Sequence, residues 1–231
     1  MKKIYNLSML SLAIIISSCS SDKDDPQPSA CEVTDAPSTY AFTDTDGNNT
    51  VAFSGQINRL AKAKEVYDMM NADLTVTTAD IDALIDDANS KLLTKTAEND
   101  PNRTTVIAQL NAIMASYAAS SSNFEAGILA EDGVAGIDAV GGYELDARGW
   151  EPDQQYAKML IGALCLEQNA YDYLTKIDLE NNNIAPEDGS FYTKSEHYWD
   201  EAFGYVYGLD SDLGETKEIS GGLLLGKYLT K

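Results

Sequence analysis

The sequence predicts a mostly α protein, a bundle of five or six helices with a short β-hairpin or extended arm at its N-terminus. Three observations carry this reading. Apolar residues recur at helical spacing over most of the chain after Gln56. Only one stretch, 38–56, alternates at a period of two. Segments rich in turn formers, at 96–103, 120–153 and 181–193, separate the helical stretches from one another.

The alternating stretch is "STYAFTDTDGNNTVAFSGQ" (38–56). Tyr40 and Phe42, then Val51 and Phe53, flank a turn at Asp44 to Thr50, which predicts a hairpin or an extended arm. "DTDGNN" weakly resembles a calcium loop but lacks the later bidentate glutamate, so turn chemistry accounts for it. From Gln56 the period becomes helical, with Ile57, Leu60, Ala61, Val66, Tyr67, Met69 and Met70 on one stripe and Arg59, Lys62, Lys64, Glu65 and Asp68 off it. Thr77 with Asp80 three residues later forms a capping-box pattern ahead of Ile81, Leu84, Ile85, Ala88 and Leu92. A third helix takes Val106, Leu110, Ile113, Met114 and Tyr117. The Gly- and Ser-rich stretch 120–153 links two helical blocks, and a connection of that length in a compact domain is usually functional or flexible. A long helix over roughly 153–180 follows, presenting Tyr156, Leu160, Leu164, Tyr171 and Leu174, then a turn region, a helix over 194–207 and an apolar terminal segment. Cys165 sits in the apolar run "MLIGALCLEQ" and reads as a small core residue.

The N-terminus gives an address. Lys2 and Lys3 precede an apolar run from Leu7 to Ile16. That run is far short of the roughly 20 residues a membrane span needs, and it suits a secretory signal. Ile16-Ser17-Ser18-Cys19 resembles a bacterial lipobox, with lipid carried on Cys19 after cleavage. Residues 1–18 are then a lipoprotein signal peptide, 19–37 a disordered acidic tether, and 38–231 one helical domain. The serine and acidic run after Cys19 resembles the export signal of surface lipoproteins in Bacteroidota. This places the protein on the outer membrane, at the cell surface or alternatively on the periplasmic face. Loss of Lys2 and Lys3 leaves 14 basic residues against 37 acidic ones, a net charge near −23. Such a field repels nucleic acid and anionic head groups and attracts cations. The membrane is reached through the lipid on Cys19, and envelope proteins are the expected partners. Cys31, in the tether, and Cys165, in an apolar run, make a poor disulfide pair, and no metal-type cysteine spacing occurs.

The stretch "KSEHYWDEAFGY" (194–205) holds the chain's one histidine. At 100° per residue, Tyr198, Trp199, Ala202, Phe203 and Val206 share one arc, which predicts the packing face. His197, Asp200, Glu201 and Gly204 fall opposite. His197 with Asp200 at i+3 and Glu201 at i+4 presents a candidate metal set for a divalent cation or iron. The same pattern also describes a solvated polar face, and one helix rarely supplies all of a metal's ligands. No serine sits in a nucleophile elbow and no glycine loop carries a phosphate-binding lysine, so no catalytic residue is assigned.

"YAF" (40–42), "NTVAFSGQINRL" (49–60), the segment 131–168 and "EHYWDEAFGYVYG" (196–208) together resemble a Bacteroidota lipoprotein family described as a domain of unknown function. That family is distantly similar to imelysin-like proteins, helical envelope proteins associated with iron or haem uptake. The resemblance implies a helical binding component of an uptake system, with a structural or protein-interaction lipoprotein as the alternative and an imelysin-type hydrolase as a third reading. The imelysin-like motif is Gly-x-His-x-x-Glu. Here Ser195 replaces its glycine and Asp200 its glutamate, with Glu201 one step later. Family members continue past the HWDEAFGY-like segment, which implies that this chain is truncated or divergent at its C-terminal end.

Overall fold

The computed structural model describes residues 40–72, 74–85, 88–184, 189–207 and 223–229. The signal segment 1–18 and the tether 19–37, including Cys19 and Cys31, lie outside them. The described residues form seven α-helices and one two-stranded antiparallel sheet. In chain order these are α1 (Ser54–Met69), α2 (Thr78–Ile85), α3 (Leu92–Lys95), α4 (Arg103–Glu125), β1 (Gly136–Ile137), β2 (Glu144–Leu145), α5 (Pro152–Leu160), α6 (Lys194–Tyr207) and α7 (Gly226–Leu229). The mostly α expectation holds, and the extra helices are single turns, α3 and α7.

The arm before α1 is extended and closed on itself by a bridge between Thr43 and Asn49. Its turn is built by Asp44, whose Oδ1 accepts the Asp46 and Asn48 amides at 2.9 and 2.8 Å while Oδ2 accepts Asn48 Nδ2. This is an Asx turn, the chemistry the composition predicts. The capping box also forms. The Thr77 amide donates to Asp80 Oδ2 at 2.8 Å, and the Asp80 amide donates to Thr77 Oγ1 at 3.2 Å.

α1 packs against α6, α2 and α5, and α4 packs along α5. Leu60, Ala63, Val66, Leu110, Tyr117, Tyr156, Leu160, Leu164 and Tyr205 meet in one core. Cys165 lies in it, and burial pushes its thiol up to about 12. Pro152 opens α5, where its missing N–H costs nothing. The predicted long helix is helical over 152–176 but not uniformly α. Past Leu160 it continues in π geometry over Ile161–Leu166 and Asn169–Tyr173 and closes in a 3-10 turn, Leu174–Lys176. The altered winding turns Tyr171 and Leu174 outward, at 72% and 45% exposure, where α-helical spacing puts them inside. The 120–153 stretch is also more ordered than its composition implies. α4 runs on to Glu125, and β1 pairs with β2 beyond it. Gly136 makes this hairpin possible, because a Cβ there would lie 2.4 Å from the Ile128 carbonyl oxygen.

Candidate functional site

The site is organised by how α6 lies on α1 and on the arm. Gly204 sets that approach. A Cβ at this position would meet Gln56 Cβ and Phe53 Cδ2 at 2.9 Å. With Gly204 against α1, the buried residues of α6 are Ser195, Asp200, Ala202, Gly204, Tyr205 and Tyr207. This corrects the packing face drawn from the sequence in part, since Ala202 is buried and Tyr198 packs against the core but Trp199 does not. Trp199 is 55% exposed, while Asp200 is 4% exposed. Close approach of the two helix backbones decides the rotation of α6, and the polar groups brought inside find hydrogen bonds there.

Asp200 finds its partners on the arm. The Tyr40 hydroxyl donates to Oδ1 at 2.6 Å, and the Ala52 amide donates to Oδ2 at 2.8 Å. Tyr40 also stacks on Phe203, with centroids 3.5 Å apart, and both rings meet Phe53 edge-on. Burial pushes the Asp200 carboxyl above its ordinary value, and it outweighs the opposing Tyr40 and Ala52 hydrogen bonds and the nearby His197. Burial and the adjacent Asp200 carboxylate likewise push the Tyr40 hydroxyl up, so it stays a donor.

Glu201 turns the other way. Its Oε1 accepts Gln56 Nε2 at 3.0 Å, and the same amide reaches the Tyr173 hydroxyl at 3.3 Å. His197 Nε2 lies 3.8 Å from Glu201 Oε2, its ring stacks on Tyr192, and its Nδ1 is buried without a hydrogen-bond partner. The structure therefore brings His197 and Glu201 together and points Asp200 away from them into the arm. Residues at i+3 and i+4 fall on either side of residue i, so one side chain joins the arm and the other joins α1. Among the described residues, no group of three or more His, Cys, Asp or Glu side chains is placed to hold a metal ion.

Sequence reasoning missed the two buried polar residues of α1. Gln56 is 1% exposed and Arg59 7%, with Arg59 Nη1 donating to the Tyr205 hydroxyl at 2.8 Å and its guanidinium 5.7 Å from the centre of that ring. Both sit at i−3 or i−4 from Leu60 and Ala63, which is the signal that could have found them. Nearby, Lys176 pairs with Asp172 and lies between the Tyr173 and Tyr198 rings, so the carboxylates on this side of α6 already have a cation close by.

Two large concave regions and a smaller recess result. The first, of about 430 Å³, runs between the arm, the 177–183 segment and the N-terminal half of α6. Phe42, Leu179 and Trp199 present apolar surface to it, and Glu196 and Asp200 are its charged groups. A smaller apolar recess on the other side of Trp199 is lined by Leu174, Ala202, Phe203 and Val206. The second large region, of about 560 Å³, lies between α1, the tip of the β1–β2 hairpin and the start of α5, lined by Tyr67, Tyr143, Glu144, Glu151 and Asp153 among others. It gives the 120–153 stretch a definite place in the fold. Among the described residues, no helix is long and apolar enough to cross a membrane.

No curated protein and no solved structure matches the chain. The family model described as Domain of unknown function (DUF4856) matches residues 37–231, and the chain belongs to that family.

Proposed function

We propose that this protein is a lipid-anchored binding component of a bacterial envelope uptake system, acylated on Cys19, with its helical domain at the cell surface or on the periplasmic face. Ligand capture, not catalysis, is its role. The observation that carries this is the groove of about 430 Å³ beside Trp199, an indole 55% exposed next to the buried Asp200 and Ala202. Exposed aromatic surface in a concavity of this size is the usual form of a small-molecule site. Among the described residues the groove contains Glu196 and Asp200 and no Lys or Arg, so it favours cationic or neutral ligands over carboxylate-bearing ones such as haem.

A metal reading also has an observation behind it. His197 and Glu201 stand 3.8 Å apart and His197 Nδ1 has no partner, which gives two donors for iron or another divalent cation. The structural alternative draws support from Asp200, which ties the arm to α6. Titration of iron, zinc and calcium into wild type and His197→Ala separates the first two readings. Equal binding by the two proteins ends the metal reading and leaves the groove. Loss of radiolabelled palmitate incorporation in Cys19→Ala tests the anchor, and undiminished labelling overturns it.

A further inference from the structure

The groove beside Trp199 holds a buried carboxylate with no Lys or Arg paired to it among the described residues. Asp200 is 4% exposed, yet both its oxygens are met by neutral donors, the Tyr40 hydroxyl and the Ala52 amide. Buried charges are normally paired with an opposite charge. Asp172 with Lys176 and Asp146 with Arg148 follow that rule. Asp153 and Glu167 are, like Asp200, buried and met by neutral donors, and of these Asp200 is the one that lines this groove. Glu196 adds a second carboxylate to the same groove. Its Oε2 accepts the Thr193 amide at 2.6 Å, and its Oε1 makes no hydrogen bond among the described residues. The aromatic surface comes from Phe42, 44% exposed, and Trp199, whose ring stacks on no other ring among the described residues. The N-terminal end of α6 opposes a cation, but with only about half a unit of positive charge against two full carboxylates.

We propose that this groove binds an organic ammonium group, a quaternary or alkylated amine, with its charge facing Asp200 and Glu196 and its carbon-bound hydrogens against Trp199 and Phe42. The proposal rests on reading the groove as the ligand site. Ammonium ions of this kind carry an apolar skin over a full positive charge, so they satisfy the rings and the carboxylates together. A hard metal ion does not, because it needs several oxygen ligands and gains little from aromatic faces. A neutral polyol leaves Asp200 uncompensated. The protein's net charge of −21 concentrates cations of any kind near the groove, and the rings select among them.

The test uses detergent-solubilised full chain carrying Trp150→Phe, which leaves Trp199 as the only indole. Choline is titrated against 3,3-dimethylbutan-1-ol, its uncharged isostere, following Trp199 fluorescence and heat. Saturable choline binding is expected, about tenfold or more tighter than the alcohol and weakened by salt. Glu196→Gln, on an exposed side chain, should weaken choline several-fold and leave the alcohol unchanged, while Asp200→Asn, checked for native circular dichroism, should weaken it further. Equal affinity for choline and the alcohol, or choline binding indifferent to Glu196→Gln, overturns the ammonium assignment while keeping the groove as a site. No response to either compound overturns the groove reading as well.

Discussion

Two glycines make a paired test of how α6 meets α1. Gly204→Ala places a Cβ 2.9 Å from Gln56 Cβ and Phe53 Cδ2, and 3.0 Å from Phe53 Cβ. Two of these three atoms are Cβ atoms, which move only if α1 itself moves. Overpacking of this kind costs about 1–3 kcal/mol, and contacts this short belong near the upper end. Against that stands the gain of about 0.5–1 kcal/mol from replacing glycine inside a helix. The net is destabilisation of about 1–2 kcal/mol, or a fall in Tm of roughly 2–8 °C for a domain of this size. Gly162→Ala is the same chemical change where a Cβ meets nothing within 4 Å. It should stabilise by about 0.4–1 kcal/mol. Urea unfolding followed by far-UV circular dichroism measures both, with m-values expected to match wild type. A stabilised Gly204→Ala, or a pair of variants that shift in the same direction, refutes the close approach of α6 to α1 on which the groove depends.

Asp146 gives a pH dependence of definite sign. Burial pushes its carboxyl up, but the Arg148 guanidinium, the Ser116 hydroxyl and the Arg148 and Trp150 amides together hold it below its ordinary value. A carboxyl with a lowered pKa in the folded protein stabilises above its unfolded value and loses that contribution as pH falls through the folded one. Asp146→Asn should therefore cost about 2 kcal/mol near pH 7, with the gap from wild type closing below pH 3.8. A gap that stays constant across that range, measured by urea midpoints, contradicts it. Cys165, its thiol pushed up to about 12 in the core, should alkylate at pH 8 only at the rate of unfolding, as read by peptide mass spectrometry. Labelling at the speed of a free thiol would place it outside the core.

Local chemistry was legible in the sequence where one segment decides its own structure. The Asp44 turn, the Thr77–Asp80 box and the burial of Leu110, Met114, Tyr117, Tyr156 and Leu160 follow from spacing alone. The candidate set His197, Asp200 and Glu201 was legible only as a pattern on one helix. Its residues engage different partners, because Tyr40 and Ala52 are 160 and 148 residues away from Asp200 and Gln56 is 145 away from Glu201. The apolar arc of α6 misled for a related reason. Hydrophobic residues on an arc show which face prefers burial, but the neighbouring helix decides which face it can approach. Gly204 was the sequence's own hint of that, since a glycine inside a strongly aromatic helix is out of place unless another backbone lies close.

By itself the sequence determined the mostly α class, the position of the arm before α1, the turns and caps, and the strongly acidic character of the chain. Each depends on neighbours a few residues apart or on composition. The tertiary structure decided the rotation of α6, the burial of Gln56, Arg59 and Asp200, the π winding after Leu160 and both concave regions. The rotation of α6, the burial of Gln56, Arg59 and Asp200 and the groove beside Trp199 join segments more than a hundred residues apart. Spacing along a single segment carries no information about what will pack against it.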